Sequence, residues 1–186
     1  MKICLICEGS YPFVAGGVSS WIQSMIKGMP QHEFVIWAIG ANESMKGKYV
    51  YELPSNVVHV QEVFLDSMLN ANRTGRKKIR LNQQQKKEIV ELIRCANPNW
   101  KVIFDTFAKG NVNPIDFLLD DSFLKALKQV CREDYPTFPF LDYFWTSRSM
   151  FLPMLYLLHT DFPEADLYHS ISCGYAGIIA AAAAQK

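Results

Sequence analysis

Apolar and polar positions in the first forty residues follow the order typical of a strand, a helix and a second strand. Residues 3–7 are apolar without interruption, which predicts a strand buried on both faces of a parallel sheet. Residues 33–39 repeat that pattern. Between them, apolar side chains recur at spacings of three and four, which predicts an amphipathic helix ending near Gly28. Its predicted apolar face consists of Val18, Trp21, Ile22, Met25, Ile26 and Met29. The three elements predict a βαβ unit with parallel strands.

The loop between the first strand and this helix carries adjacent glycines, Gly16 and Gly17, within the segment EGSYPFVAGGVSSW at residues 8–21. Glycine tolerates positive φ and lets a ligand approach the backbone closely. The first N–H groups of the following helix have no intrahelical partner, and the helix dipole favours an anion there. The same glycines also fit a plain strand-to-helix turn, and their spacing matches neither GxGxxG nor GxxxxGK[ST]. The pattern leaves both interpretations open and names no ligand.

The middle of the chain changes from short strands to helices. Two further strands are predicted at residues 49–53 and 56–63, with His59 as an ordinary strand residue. Residues 70–80 are polar and basic without aromatic residues, which predicts an exposed mobile loop more than a nucleic-acid patch. The helices predicted after that loop span residues 83–96, 100–109, 114–130 and 141–159. Residues 66–160 therefore form a predicted α-helical insertion or subdomain.

The last of these helices is rich in aromatic residues and methionine, as a cofactor-binding or membrane-surface helix would be. Asp142 and Arg148 interrupt the apolar run, and Pro153 would kink the helix. Packing inside the helical region is the favoured interpretation.

The final segment repeats the opening design. Residues 165–172 read as a strand, and a glycine turn at residues 174–177 leads into a helix of small apolar residues. Because carboxyl ends of parallel strands meet at one sheet edge, His169 and Ser172 should lie near the Gly16–Gly17 loop. A histidine there is as compatible with a structural hydrogen bond as with a functional role. The last helix shows no stop signal, so we expect the sequence to continue beyond residue 186.

Composition narrows the class of protein. A length of 186 residues suits one domain, and a formal net charge of +1 provides no global field to attract nucleic acid or anionic membranes. The chain shows no signal peptide and no apolar run long enough for a membrane span, which predicts a cytoplasmic protein. Five scattered cysteines argue against a disulfide framework, and Cys4 and Cys7 are predicted core residues instead of zinc ligands.

Three segments carry a family resemblance. They are MKICLICEGSYPFVAGGVSSW at residues 1–21, DYFWTSR at residues 142–148 and DLYHSISCGYAG at residues 166–177. On these segments the chain resembles the N-terminal part of the Pel exopolysaccharide glycosyltransferases, a branch of the family 4 retaining glycosyltransferases with the GT-B fold. The resemblance spans the chain and is weakest at residues 66–110.

The resemblance implies a partial GT-B N-terminal domain: an α/β, Rossmann-like parallel sheet with a large α-helical insertion. Such a domain binds the acceptor and faces a C-terminal domain, absent from this sequence, that binds most of a UDP-sugar donor. The implied activity is hexosyl or N-acetylhexosaminyl transfer in the full-length protein, and we expect this fragment to be inactive alone. No cofactor or metal is implied beyond the nucleotide-sugar substrate. The implied partners are the UDP-sugar, a polysaccharide acceptor and membrane-bound synthesis or export proteins.

The resemblance also implies roles for individual residues. The donor diphosphate would contact Gly16, Gly17 and Val18. The acceptor side would be lined by Tyr11, His169, Ser172, Gly174 and Tyr175. Ile171 stands where relatives often carry a second histidine, and no catalytic residue is assigned within this chain.

Two other classes of function compete with this one. A binding or scaffolding module could use its helical insertion to dock on a membrane-bound polysaccharide synthesis complex. A nucleotide-dependent oxidoreductase is disfavoured, because GxGxxG is missing and the second strand reaches Ile39, Gly40 and Ala41 with no acidic residue to close it.

Overall fold

The computed structural model describes residues 1–70 and 79–185. The chain divides into two compact units, Met1–Asn70 with Asp161–Lys186, and Ala71–Thr160. Most of the exposed loop predicted at residues 70–80 lies outside the described residues.

The first unit contains a four-stranded sheet in which all strands run parallel. The strands are β1 (Lys2–Glu8), β2 (Glu33–Gly40), β3 (Val57–Phe64) and β4 (Leu167–Ser170), in the spatial order β3-β2-β1-β4. This arrangement confirms the predicted α/β, Rossmann-like fold. From β1 the chain builds outward to β2 and β3 on one side and later adds β4 on the other. The direction of winding therefore reverses between β1 and β4.

The central strands are buried, as their unbroken apolar runs predicted. Cys4, Cys7 and Trp37 have no exposed surface, and the two cysteines are confirmed as core residues. Burial raises the pKa of the Cys4 thiol to about 12, because the thiolate would lose its hydration inside the sheet. These thiols are therefore inert packing groups.

The first helix, α1 (Gly17–Gly28), follows β1 and packs on the sheet through Ile22 and Ile26. Its predicted apolar face is wrong at two positions: Val18 is 52% exposed and Trp21 is 51% exposed. Ser19 is buried in their place. Ser19, Ile22 and Ile26 are also spaced by three and four residues, so they form a second face of the helix. This second face packs on the sheet.

The strand predicted at residues 49–53 is absent from the described structure; this part of the chain is a loop. Tyr51 packs its ring on Tyr11, with centroids 5.5 Å apart, and Tyr49 packs on Phe13 at 5.9 Å. The Val50 N–H donates to the carbonyl of Pro12 in place of a strand neighbour. The apolar pattern therefore reflects side-chain burial from a loop.

A short helix, α2 (Ser67–Asn70), ends the first described segment, and the second unit follows as a set of helices. These are α3 (Gln83–Ile93), α4 (Trp100–Phe107), α5 (Pro114–Leu118), α6 (Asp121–Asp134) and α7 (Phe140–Leu158). Side chains of Asn82, Asn99, Asn113 and Asp120 accept backbone N–H bonds at the starts of α3 to α6. The first of these helices ends at Ile93, three residues earlier than predicted, and Cys95 beyond it has a φ of 55°.

Aromatic packing holds the second unit together. Phe117 lies edge-on between Phe107 and Phe123, with centroid distances of 5.1 and 5.4 Å. The second half of α7 is buried from Phe151 to Leu155, which confirms its predicted packing role, and Pro153 lies within the helix. Among the residues that the structure describes, no helix has the length and apolar character needed to cross a membrane.

Candidate functional site

Two parallel strands end side by side where the winding of the sheet reverses. β1 ends at Glu8 and leads through a loop to α1, while β4 ends at Ser170 and leads to α8 (Tyr175–Ala183). Open α/β sheets bind ligands in the crevice at this reversal, outside the carboxyl ends of the strands. The residues that follow β1 and β4 therefore form the candidate site.

The start of α8 is filled by a carboxylate from the end of β1. The Ala176 N–H donates to Glu8 Oε2 at 3.1 Å, and the Ser172 hydroxyl donates to the same oxygen at 3.4 Å. A Cβ added to Gly174 would lie 2.8 Å from that oxygen, so glycine at this position leaves room for the carboxylate. The negative charge of Glu8 occupies the positive end of α8, and a second anion is disfavoured there.

The start of α1 is open by contrast. Gly16 is the N-cap residue, no side chain caps the helix, and its first turn carries no acidic residue. The first intrahelical bond runs from the Ser20 N–H to the Gly16 carbonyl. The N–H groups of Gly17, Val18 and Ser19 have no protein acceptor within the described residues, as expected for a first helical turn.

Neither a positive φ nor internal packing requires glycine at these two positions. Gly16 has φ 172° and ψ 176°, an extended conformation open to any residue, so positive φ does not require glycine. A Cβ added to Gly16 or Gly17 would meet no atom within 4 Å. Packing within the described chain therefore does not require glycine either. Among the described residues, the space beside both glycines is open, and a group from outside the chain could approach the backbone amides there.

The loop before α1 and the first turns of this helix expose apolar side chains. Val14, Val18 and Trp21 are all exposed, at 44%, 52% and 51%. The Trp21 indole lies 6.4 Å from the imidazole of His169 on β4, measured between ring centroids. Backbone donors bordered by apolar and aromatic surface are typical of ligand sites. The contact also shows that the start of α1 and the end of β4 share one edge of the sheet.

Most of the predicted site residues meet at this edge, with differing surroundings. Gly16, Gly17 and Val18 lie at the open start of α1, and His169 is exposed beside Trp21. Ser172 and Gly174 lie against the Glu8 carboxylate.

Tyr11 lies in the core instead. It has no exposed surface, and its hydroxyl donates to Gln23 Oε1 at 2.7 Å. Burial raises the pKa of Tyr11 to about 12. No acceptor could touch this side chain without displacing it from the core.

Tyr175, at the first position of α8, is partly buried near Glu8. Burial raises its pKa, and the negative charge of Glu8 raises it further. Its phenol is therefore protonated at neutral pH and can donate a hydrogen bond.

The comparisons with known proteins give a family. A protein-family model described as "Domain of unknown function (DUF3492)" matches residues 1–186. The chain belongs to this family. No curated protein and no solved structure gave a significant match.

In this DUF3492 chain, Glu8 contacts the start of α8, although the sequence pattern predicted no role for this residue. One signal for it is present in the sequence: a single acidic residue directly ends a buried, unbroken apolar strand. A charge at the carboxyl end of a parallel strand lies where such sheets form their sites. Its partner Ala176 is 168 residues further along the chain, so only the folded structure identifies the contact.

Proposed function

We propose that this chain is the acceptor-side half of a retaining glycosyltransferase that uses a UDP-sugar in exopolysaccharide synthesis. The observation that carries the proposal is the open start of α1. The N–H groups of Gly17 and Val18 have no acceptor among the described residues, and a Cβ added to Gly16 or Gly17 would meet no atom within 4 Å. The position of this helix start at the reversal of the sheet supports the proposal, as does the resemblance of the surrounding segment to the Pel enzymes of glycosyltransferase family 4.

The donor diphosphate would bind at these amides. The N–H groups of the exposed residues Gly17 and Val18 would donate to phosphate oxygens, aided by the positive end of the α1 dipole. When the bond between the sugar and UDP breaks, negative charge grows on the leaving diphosphate. Donors held rigidly by a helix stabilise that charge without having to reorganise, which lowers the barrier. The resemblance assigns the cationic side chains that also grip the phosphates to a second domain outside this sequence.

The acceptor sugar would lie on the β4 side of the crevice. An exposed indole such as Trp21 presents a negative face to the weakly positive C–H groups of a pyranose ring. His169 and the protonated phenol of Tyr175 would offer hydrogen bonds to sugar hydroxyls. We leave Tyr11 out of this surface because it is buried.

Gly17→Asp in the full-length protein tests the diphosphate role. An acidic residue in the first turn should stabilise α1 by about 0.3–1 kcal/mol, while its charge repels the diphosphate. The expected result is an unchanged or higher Tm together with loss of UDP affinity, measured by calorimetric titration, and loss of UDP-sugar turnover.

Gly28→Asp is the matched control, since Gly28 ends the same helix and a Cβ there also meets no atom within 4 Å. It should keep UDP affinity and turnover. Equal UDP affinity and turnover in Gly17→Asp and the unmodified protein would refute the diphosphate role.

A further inference from the structure

A groove of about 480 Å³ lies between α3 and α6 in the second unit. Side chains of α3 between Lys86 and Val90 and of α6 between Ser122 and Gln129 line it, together with the segment that leads into α3. Leu81, Ile89 and Ala126 provide an apolar floor, and each is less than 10% exposed. A volume of this size is within the range of ligand and side-chain binding pockets, roughly 300–1,000 Å³.

The rim of the groove is cationic. Arg80, Lys86 and Lys125 line it, all three are exposed, and none forms an ion pair within the described residues. Among the described residues, no acidic side chain lines the groove. Asp121 lies one turn before Lys125 on α6 but makes no ion pair with it in the described structure.

At the opposite end of the same two helices, an arginine is paired with carboxylates. There, Arg94 at the end of α3 binds Glu91 at 3.1 Å and Asp134 at 2.7 Å, and it also pairs with Glu133. Three carboxylates therefore bind Arg94 where the two helices meet at their carboxyl ends. The unpaired cations at the groove form a surface that is complementary to an external anion.

The described residues that lead into and begin α3 share this positive charge. Residues 79–87 contain no Asp or Glu and three basic residues: Arg80, Lys86 and Lys87.

We propose that this groove binds an acidic amphipathic helix of a partner protein. Apolar side chains at helical spacing would enter the floor, and flanking Glu or Asp residues would meet Arg80, Lys86 and Lys125. The concave, apolar floor favours a helix over a membrane, whose surface cannot enter a space between two helices. It also favours a helix over single-stranded nucleic acid, because in the described part of the chain no aromatic side chain lines the groove for base stacking. This interaction does not depend on the transferase proposal.

The test uses a fluorescein-labelled sixteen-residue peptide with leucines on one helical face and flanking glutamates, titrated with the protein in an anisotropy assay. The Lys86→Glu, Lys125→Glu double variant should bind about tenfold or more weakly than the unmodified protein. The matched control is Lys27→Glu with Lys46→Glu, which changes the net charge equally at exposed sites in the other unit and should keep full affinity. All four lysines are exposed, so both variants should fold.

Several outcomes would overturn the proposal. Failure of the peptide to bind, equal weakening by both double variants, or equal binding of a matched peptide with lysine flanks would each do so. Binding to phosphatidylserine vesicles or to polyuridylic acid that requires Lys86 and Lys125, without peptide binding, would assign the groove to a membrane or to RNA instead.

Discussion

The starts of α1 and α8 have similar positions in the fold, but among the described residues only the start of α8 is occupied by a carboxylate of this chain. Each helix follows a parallel strand of the sheet through a glycine-containing loop, and both begin at the same edge of the sheet. At α8, the Glu8 carboxylate accepts from a backbone N–H, whereas the first three N–H groups of α1 meet no acceptor within the described residues. The comparison shows that, in the described part of the chain, one of two similar turns is occupied by a carboxylate of this chain and the other is not, and our proposal assigns the donor diphosphate to the unoccupied one. It also explains their glycines differently, since Gly174 makes room for Glu8 and Gly17 faces open space.

The largest expected effect on stability comes from removing the Glu8 carboxylate from the start of α8. Glu8→Ala removes the acceptor of the Ala176 N–H and the charge at the start of α8, which should cost about 1–2 kcal/mol of unfolding free energy. Urea unfolding measures that loss, and hydrogen exchange at the Ala176 amide should accelerate.

Glu164→Ala is the control, because Glu164 is an exposed carboxylate in the same unit. If both variants unfold at the same urea concentration as the unmodified protein, Glu8 does not stabilise α8.

A smaller effect is expected from Gly174→Ala. The added Cβ would meet the flexible end of Glu8, so the side chain should swing away and the bond to Ala176 should weaken, at a cost of about 1 kcal/mol. In a Glu8→Ala background the same substitution should be nearly neutral, because the group it displaces is gone. A double-mutant cycle in urea measures this coupling. Additive costs would mean that Gly174 is needed for a reason other than Glu8.

The smallest effect concerns the pKa of Tyr175. Burial raises it first and the charge of Glu8 adds to that, so Glu8→Gln should lower it while burial still keeps it above its ordinary value. NMR of ¹³C-labelled tyrosines from pH 8 upward measures the change. Tyr11 is the internal control, since its raised pKa of about 12 has burial, Cys7 and Tyr51 as causes and should not move. If Glu8→Gln left the pKa of Tyr175 unchanged, the charge of Glu8 would not be a cause of the raised pKa.

Local patterns were sufficient for much of the fold. The unbroken apolar runs of β1 and β2 identified buried parallel strands, because residues enclosed on both faces leave no polar alternation. Asn99 and Asn113 identified helix starts, because a short polar side chain caps the N–H groups two or three residues later. These interactions span a few residues, so the sequence determines them directly.

Other features depend on partners that are distant in sequence. The loop at residues 49–53 resembles a strand until Tyr49 and Tyr51 are seen to pack on Phe13 and Tyr11. Two overlapping helical stripes were available to α1, and contact with the sheet selected the one containing Ser19. The burial of Tyr11 also depends on residues distant in sequence. The family resemblance had placed this residue on the acceptor side.

For the candidate site, the sequence by itself determined that two glycine turns follow parallel strands and therefore share one edge of the sheet. Only the tertiary structure decided which turn is open, because the carboxylate that closes the other lies 168 residues from its partner. Burial and charge pairing depend on distances in space, and those distances are set when the whole sheet assembles.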